Sequence, residues 1–223
     1  MLDDTKKEEI DKVKDCDSKQ AIFNQAARLF AVKGFHGTSV RDISTAAGVN
    51  VALINYHFKT KQNLFNEVAL YGFARIEKSK SDLRGLPLKE LIEKTYLKNI
   101  DMENGDGYYV VVIMNLFTSP QQLNLELAHT IIRDHKSEWM DTMVQAVKRE
   151  VPENTPEEEL VRVAFMINGN VMWMSQTSFG LMEQESGFLK EFYPGESPEQ
   201  VRINYLYDQA DRLINELRTK YSS

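Results

Sequence analysis

The clearest alternation of apolar and polar positions lies between residues 18 and 58. Ile22, Ala26, Leu29 and Phe30 recur at spacings of four, three and one, which predicts an amphipathic helix over Ser18–Val32. Lys33 and Gly34 end it with a basic residue and a glycine tolerant of positive φ. Val40, Ile43 and Ala47 repeat at three and four, a second and shorter helix. Ser39 stands at its cap, with Asp42 three residues on as the other half of a capping box. Gly48 breaks the pattern where a sharp turn is needed, and Asn50 caps a third helix over Val51–Tyr56. Phe35, Ile54 and Phe58 are expected in the core of this three-helix head.

Thr60 opens a long fourth helix, Lys61–Ser81, with Leu64, Val68, Tyr71 and Ile76 inward. A loop at Leu83–Pro87 separates it from a helix over Leu88–Met102. After a second loop at residues 103–107 comes Tyr108–Phe117, whose β-branched and aromatic run has the propensity of a buried strand. A lone strand has no partner in an otherwise helical chain, so a buried helix is expected. Ser119-Pro120 restarts a helix, and Leu123–Val151 reads as one helix or as two with a break near His135. Thr155-Pro156 and Ser197-Pro198 are parallel start signals, each a hydroxyl cap with proline at the first helical position. The helix from Pro156 to about Met182 is apolar nearly all round after Arg162, which requires burial on both sides. The last helix, Pro198–Lys220, carries Val201, Leu206, Ala210, Leu213, Ile214 and Leu217. The expected fold is all-α. Residues 1–17 form a flexible charged arm, 18–65 a helix-turn-helix head and 66–223 a larger helical body.

Charge sharpens this division. Residues 18–64 carry six basic side chains (Lys19, Arg28, Lys33, Arg41, Lys59, Lys61) and one acidic one (Asp42), a net of +5. The whole chain carries −6, so −11 falls on the rest. A basic head on an acidic body is the footprint of a nucleic-acid binder. The third helix, with Asn50, Asn55, Tyr56 and His57 on its polar face, suits a major groove.

Other classes recede. A single cysteine, Cys16, permits no internal disulfide and fits a reducing cytoplasm. The charged stretch Met1–Asp17 lacks the apolar region of a signal peptide. The uncharged stretches Gly107–Leu125 and Val163–Met182 are too polar to read as membrane spans. His36, His57, His129 and His135 do not converge on a metal-binding spacing. No nucleophile–base pair or phosphate loop points to an enzyme, and no cofactor is implied.

The runs Lys33–Ile43, Ala46-Ala47-Gly48-Val49 and Tyr56-His57-Phe58-Lys59-Thr60-Lys61 resemble the TetR/AcrR family of bacterial transcriptional regulators, over roughly residues 18–70. Two positions depart from the family pattern: Leu53-Ile54-Asn55 replaces a common Leu-Tyr pair, and Ala52 stands where glycine is common. Both lie on the reading helix and bear on which operator is read. The resemblance implies DNA contacts from Thr38 and Ser39 and from Lys61, those of Thr38 and Lys61 to backbone phosphates. It implies base or phosphate contacts from Asn50, Ala52, Leu53, Asn55, Tyr56 and His57. Asn55 is the best base reader among these, since asparagine can bond adenine at N6 and N7 together.

The resemblance further implies a cytoplasmic repressor that dimerises through its last two helices, binds a near-palindromic double-stranded operator and is released by a small-molecule effector. An alternative on the same scaffold is a DNA-bound structural or cell-division factor controlled by a protein partner. Met and aromatic side chains in the body could line an effector pocket: Tyr96, Tyr109, Phe117, Trp139, Met143, Met166 and Trp173, with Asn170 as a polar member. Asn170 and Gln176, inside an uncharged helix, need partners if buried.

Overall fold

The computed structural model describes residues 2–102, 106–118, 138–177 and 193–222, with side chains for residues 17–102, 106–116, 138–176 and 193–222. Every regular element among them is helical: α1 (Leu2–Lys33), α2 (Val40–Ala47), α3 (Val51–Phe58), α4 (Lys61–Ser79), α5 (Leu88–Ile100), α6 (Gly107–Thr118), α7 (Glu138–Lys148), α8 (Glu157–Thr177) and α9 (Pro198–Tyr221). A single 3-10 turn at Ser81–Leu83 follows α4.

The chain forms two compact units, and they do not divide at residue 65. The first takes residues 1–74 together with 108–131; the second takes 75–107 and 132–223. The head therefore shares its unit with α6.

In the first unit the core is Ile22, Phe23, Ala26, Ala27 and Phe30 from α1, Ile43 from α2, Ile54 and Phe58 from α3, and Leu64, Phe65, Val68 and Ala69 from α4. Fully burying one such phenylalanine contributes about 1.5–3 kcal/mol. The rings meet edge to face, as at Phe30–Phe65, with centroids 5.1 Å apart and planes at 83°. Phe35 joins this cluster, 5.3 Å from Phe65. Residues 2–17, expected as a flexible arm, instead continue α1 as helix. Neither glycine nor proline interrupts Leu2–Lys33, and its lysines, glutamates and alanines favour helix. Residues 108–117 are helical, as the all-α context required over their strand propensity.

In the second unit one core joins α5 (Leu91, Ile92, Tyr96), α7 (Trp139, Met143, Val147), α8 (Leu160, Val163, Ile167, Val171) and α9 (Val201, Leu206, Ile214, Leu217). α9 starts as its sequence indicates, with the Ser197 hydroxyl accepting from the Gln200 N–H at 3.2 Å. The parallel motif at Thr155 does not cap α8: the Thr155 hydroxyl is buried and has no partner among the described residues. The α8 helix buries one side only. Val161, Phe165 and Trp173 face outward, with Phe165 69% and Trp173 61% exposed. The expected start at Ser119-Pro120 and helix over 123–137, and the end of the Pro156–Met182 helix beyond 177, lie outside the described residues.

Candidate nucleic-acid interface

The helix-turn-helix is built by local chemistry. Ser39 and Asp42 close a reciprocal capping box: the Asp42 N–H donates to Ser39 Oγ at 3.0 Å, and the Ser39 N–H donates to Asp42 Oδ2 at 2.9 Å. Bonds from the Ser39 hydroxyl and N–H hold the Asp42 carboxyl below its ordinary range. Gly48 ends α2 at φ 67°, the left-handed conformation that lets its N–H reach back to the last carbonyls of the helix. Two residues on, Asn50 accepts from the Ala52 N–H at 2.8 Å and starts α3.

This geometry gives α3 two faces. Ile54 and Phe58 point into the core, at 1% and 2% exposure. Ala52, Asn55 and Tyr56, at i, i+3 and i+4, are exposed, with Tyr56 at 78%. Asn50 is exposed beside them, while Leu53 and His57 are half-buried at the edges. Exposed Arg28, Lys33, Arg41 and Lys59 surround this surface in sequence. Lys59 was legible only as a charge; the structure places it at the end of α3 with φ 62°.

Two residues expected to contact phosphate make hydrogen bonds within the head. Thr38 is 1% exposed, and its hydroxyl proton is shared between the Leu29 and Gly34 carbonyls at 3.1 and 2.8 Å. Its side chain fastens the α1–α2 turn from inside and presents no hydroxyl to a phosphate. The Lys61 ammonium donates to the Phe35 and Thr38 carbonyls at 2.8 and 2.9 Å and lies 4.2 Å from the Phe35 ring centroid. Two of its three N–H groups are committed to that turn. Ser39 is exposed at the surface, held by its capping bonds.

Within the second unit, the residues expected to line an effector pocket divide between its core and the outer side of α8. Tyr96 and Met143 are in the core of the second unit, and Trp139 beside them donates from Nε1 to Asn168 Oδ1 at 3.0 Å. Met166 and Trp173 are exposed on the outer side of α8, and Asn170 is half-buried. Tyr109 belongs to the first unit, where its hydroxyl donates to Asn24 Oδ1 at 2.9 Å. The side chain of Phe117 lies outside the described residues. A groove of about 480 Å³ on the second unit is lined by other residues, among them Arg84, Glu138, Thr142 and Arg149. A buried polar group that sequence reasoning missed is Asn99, at 0% exposure, whose Nδ2 donates to Ser175 Oγ at 3.3 Å. Asn99 Oδ1 and Gln176 Nε2 are buried without partners among the described residues.

No group of three or more His, Cys, Asp or Glu side chains among the described residues could hold a metal ion. No described helix is long and apolar enough to cross a membrane.

A capped helix-turn-helix with a polar outer face, in a segment of net charge +5 over residues 18–64, is the architecture of a DNA-binding head. Residues 22–68 match the family model of bacterial regulatory proteins, tetR family. The chain is 49% identical over 51 residues to a probable HTH-type transcriptional regulator, YttP, of Bacillus subtilis (strain 168), covering 23% of this chain and 25% of that protein. It is 44% identical over 52 residues to the HTH-type transcriptional repressor KstR2 of Rhodococcus jostii (strain RHA1), again 23% and 25% of the two chains. The chain thus spans about a quarter of the length of these curated relatives. The structure of AibR in complex with isovaleryl coenzyme A and operator DNA superposes with a TM-score of 0.57 at 18% identity, covering 90% of this chain and 98% of that one. Residues 22–68 thus match the DNA-binding region of the tetR family of bacterial regulatory proteins, and the chain shares the fold of AibR over most of its length.

Proposed function

We propose that the protein is a dimeric transcriptional repressor that reads a near-palindromic operator with α3 of each protomer and is released from it by a small-molecule effector. The observation that carries this is the outer face of α3: Ala52, Asn55 and Tyr56 stand exposed on a helix fixed at its start by Asn50 and on its inner side by Ile54 and Phe58. Asn55 is the base reader; Tyr56 and His57 contact the sugar–phosphate backbone. Arg41 and Lys59 supply the sequence-independent part of the affinity.

The dimer forms through the outer side of α8 with α9 beside it. Val161, Phe165 and Trp173 recur at steps of four and eight and leave an apolar stripe exposed, of the kind that a partner subunit buries. A structural factor with a protein partner would also need an apolar surface; a second copy of this chain accounts for the stripe and supplies the two-fold symmetry that a palindromic site demands.

Support for an effector is chemical. Leaving a buried carbonyl or amide N–H unpaired costs about 1–3 kcal/mol, and Asn99 Oδ1 and Gln176 Nε2 are two such groups in the second unit. A ligand that offers a donor to Asn99 Oδ1 or an acceptor to Gln176 Nε2 would satisfy such a group. AibR, of like fold, was solved with isovaleryl coenzyme A. No membrane association is proposed, and the site of action is the cytoplasm.

The test is selection of duplexes from a randomised library by the wild-type protein, followed by footprinting. Enrichment of two inverted half-sites is expected. Recovery of no sequence preference would contradict the reading.

A further inference from the structure

We propose that Tyr109 of α6 is a positioning residue for the recognition helix α3, so that α6 is a working part of the DNA-reading head. The inference rests on the DNA-binding reading above and assigns a positioning role to a residue outside the helix-turn-helix. Tyr109 is 5% exposed, and two kinds of contact hold it against the head.

The first is polar. The Tyr109 hydroxyl donates to Asn24 Oδ1 at 2.9 Å; the same oxygen accepts from Gln20 Nε2 at 2.9 Å, and Gln20 Oε1 accepts from the Tyr71 hydroxyl at 2.9 Å. One network therefore ties α1, α4 and α6. The second is steric. The Tyr109 ring lies so close to α4 that a Cβ added at Gly72 would stand 2.6 Å from Tyr109 Cδ1 and 2.9 Å from its Cβ. Only glycine at position 72 admits this approach.

From there an unbroken series of rings leads to α3. Tyr109 packs on Tyr71 with centroids 5.6 Å apart, Tyr71 stacks on Phe23 at 5.0 Å, and Phe23 meets Phe58 at 5.7 Å. Phe58 is the last residue of α3, and its buried ring fixes the end of the helix that presents Asn55 and Tyr56. A bidentate asparagine–adenine pair tolerates displacements of only about 0.5 Å, so a change at the far end of this ladder is read out as DNA affinity.

The experiment labels the full-length protein with 3-fluorotyrosine and follows the Tyr56 resonance, assigned by Tyr56→Phe, alongside affinity for the duplex selected by the wild type. Tyr109→Leu removes the ladder's first ring, and Gly72→Ala forces that ring away while leaving the tyrosine in place. Each is expected to move the Tyr56 resonance and to weaken binding by about 2- to 30-fold. Tyr109→Phe, which keeps the ring, is expected to restore the resonance and most of the affinity. Wild-type resonance and affinity in both Tyr109→Leu and Gly72→Ala, even with lowered melting temperatures, would overturn the proposal and leave Tyr109 a packing residue. If Tyr109→Leu does not fold, Gly72→Ala decides alone. If the wild type selects no duplex, the DNA-binding reading fails, and the Tyr56 resonance still decides whether Tyr109 positions α3.

Discussion

Lys61 holds Phe35 from two sides: its ammonium donates to the Phe35 carbonyl at 2.8 Å and lies 4.2 Å from the centroid of the Phe35 ring. A third contact, to the Thr38 carbonyl at 2.9 Å, makes the first turn of α4 the clamp on the loop between α1 and α2. Hydrogen bonds to a charged group contribute about 1.5–3 kcal/mol, and truncation leaves two carbonyls to find other partners. Lys61→Met is expected to destabilise the protein by about 2 kcal/mol in urea unfolding. The salt dependence of DNA binding, measured where the variant is folded, is expected to change by much less than the unit of slope that one lost phosphate contact produces. A full unit of lost slope with unchanged stability would return Lys61 to the phosphate set.

Asn55 is exposed and distant from the core, so its replacement separates reading from folding. Asn55→Ala is expected to cost about 1–3 kcal/mol on the selected duplex and little on random DNA. Fluorescence anisotropy on both duplexes checks this. Equal losses on the two would show that Asn55 does not read bases.

The outer stripe of α8 is expected to vanish into a dimer. Phe165, 69% exposed in the single chain, sits near its middle. Phe165→Asp introduces an unpaired charge there and is expected to weaken association by about 2 kcal/mol or more, the scale of an interface hot spot. Sedimentation velocity over a concentration series reads the shift toward monomer. An unmoved association constant would place the interface elsewhere.

Lys80 gives the stability of the second unit a pH dependence of definite sign. Burial pushes its ammonium down to about 8, only partly offset by the nearby Asp106 and Glu77 carboxylates, with Lys98 adding to the depression. The unfolded chain keeps that proton to about 10.5, so between these values it binds more protons than the folded chain. Stability therefore gains a term that grows as pH rises from about 8 toward 10.5. Lys80→Met is expected to raise urea midpoints near neutrality and to lose this term. Parallel pH profiles for the two proteins would contradict it.

What could be read from the sequence was what neighbouring residues decide among themselves. The Ser39–Asp42 box, the Gly48 turn and the Asn50 cap depend on side chains within three residues of the backbone they serve, and each forms as expected. The bonds that Thr38 and Lys61 make inside the head were not legible, because their partners, the carbonyls of Leu29, Gly34 and Phe35, are brought to them by the packing of the head. Thr155 and Ser197 share one local pattern, yet only the Ser197 hydroxyl caps its helix, while the Thr155 hydroxyl is buried without a partner among the described residues. The packing of Tyr109 against α4 was not legible, because an aromatic ring in an apolar run carries no direction. Its only trace in the sequence is Gly72, a glycine inside a helix that composition alone would have disfavoured.

The most direct test of the central claim is the stoichiometry of the protein on its selected duplex, measured by sedimentation at physiological salt together with a footprint. Two protomers per duplex, protecting inverted half-sites about 34 Å apart or a multiple of that, is the predicted result. One protomer per duplex, or binding equally strong on random DNA, would contradict a two-fold, sequence-reading regulator.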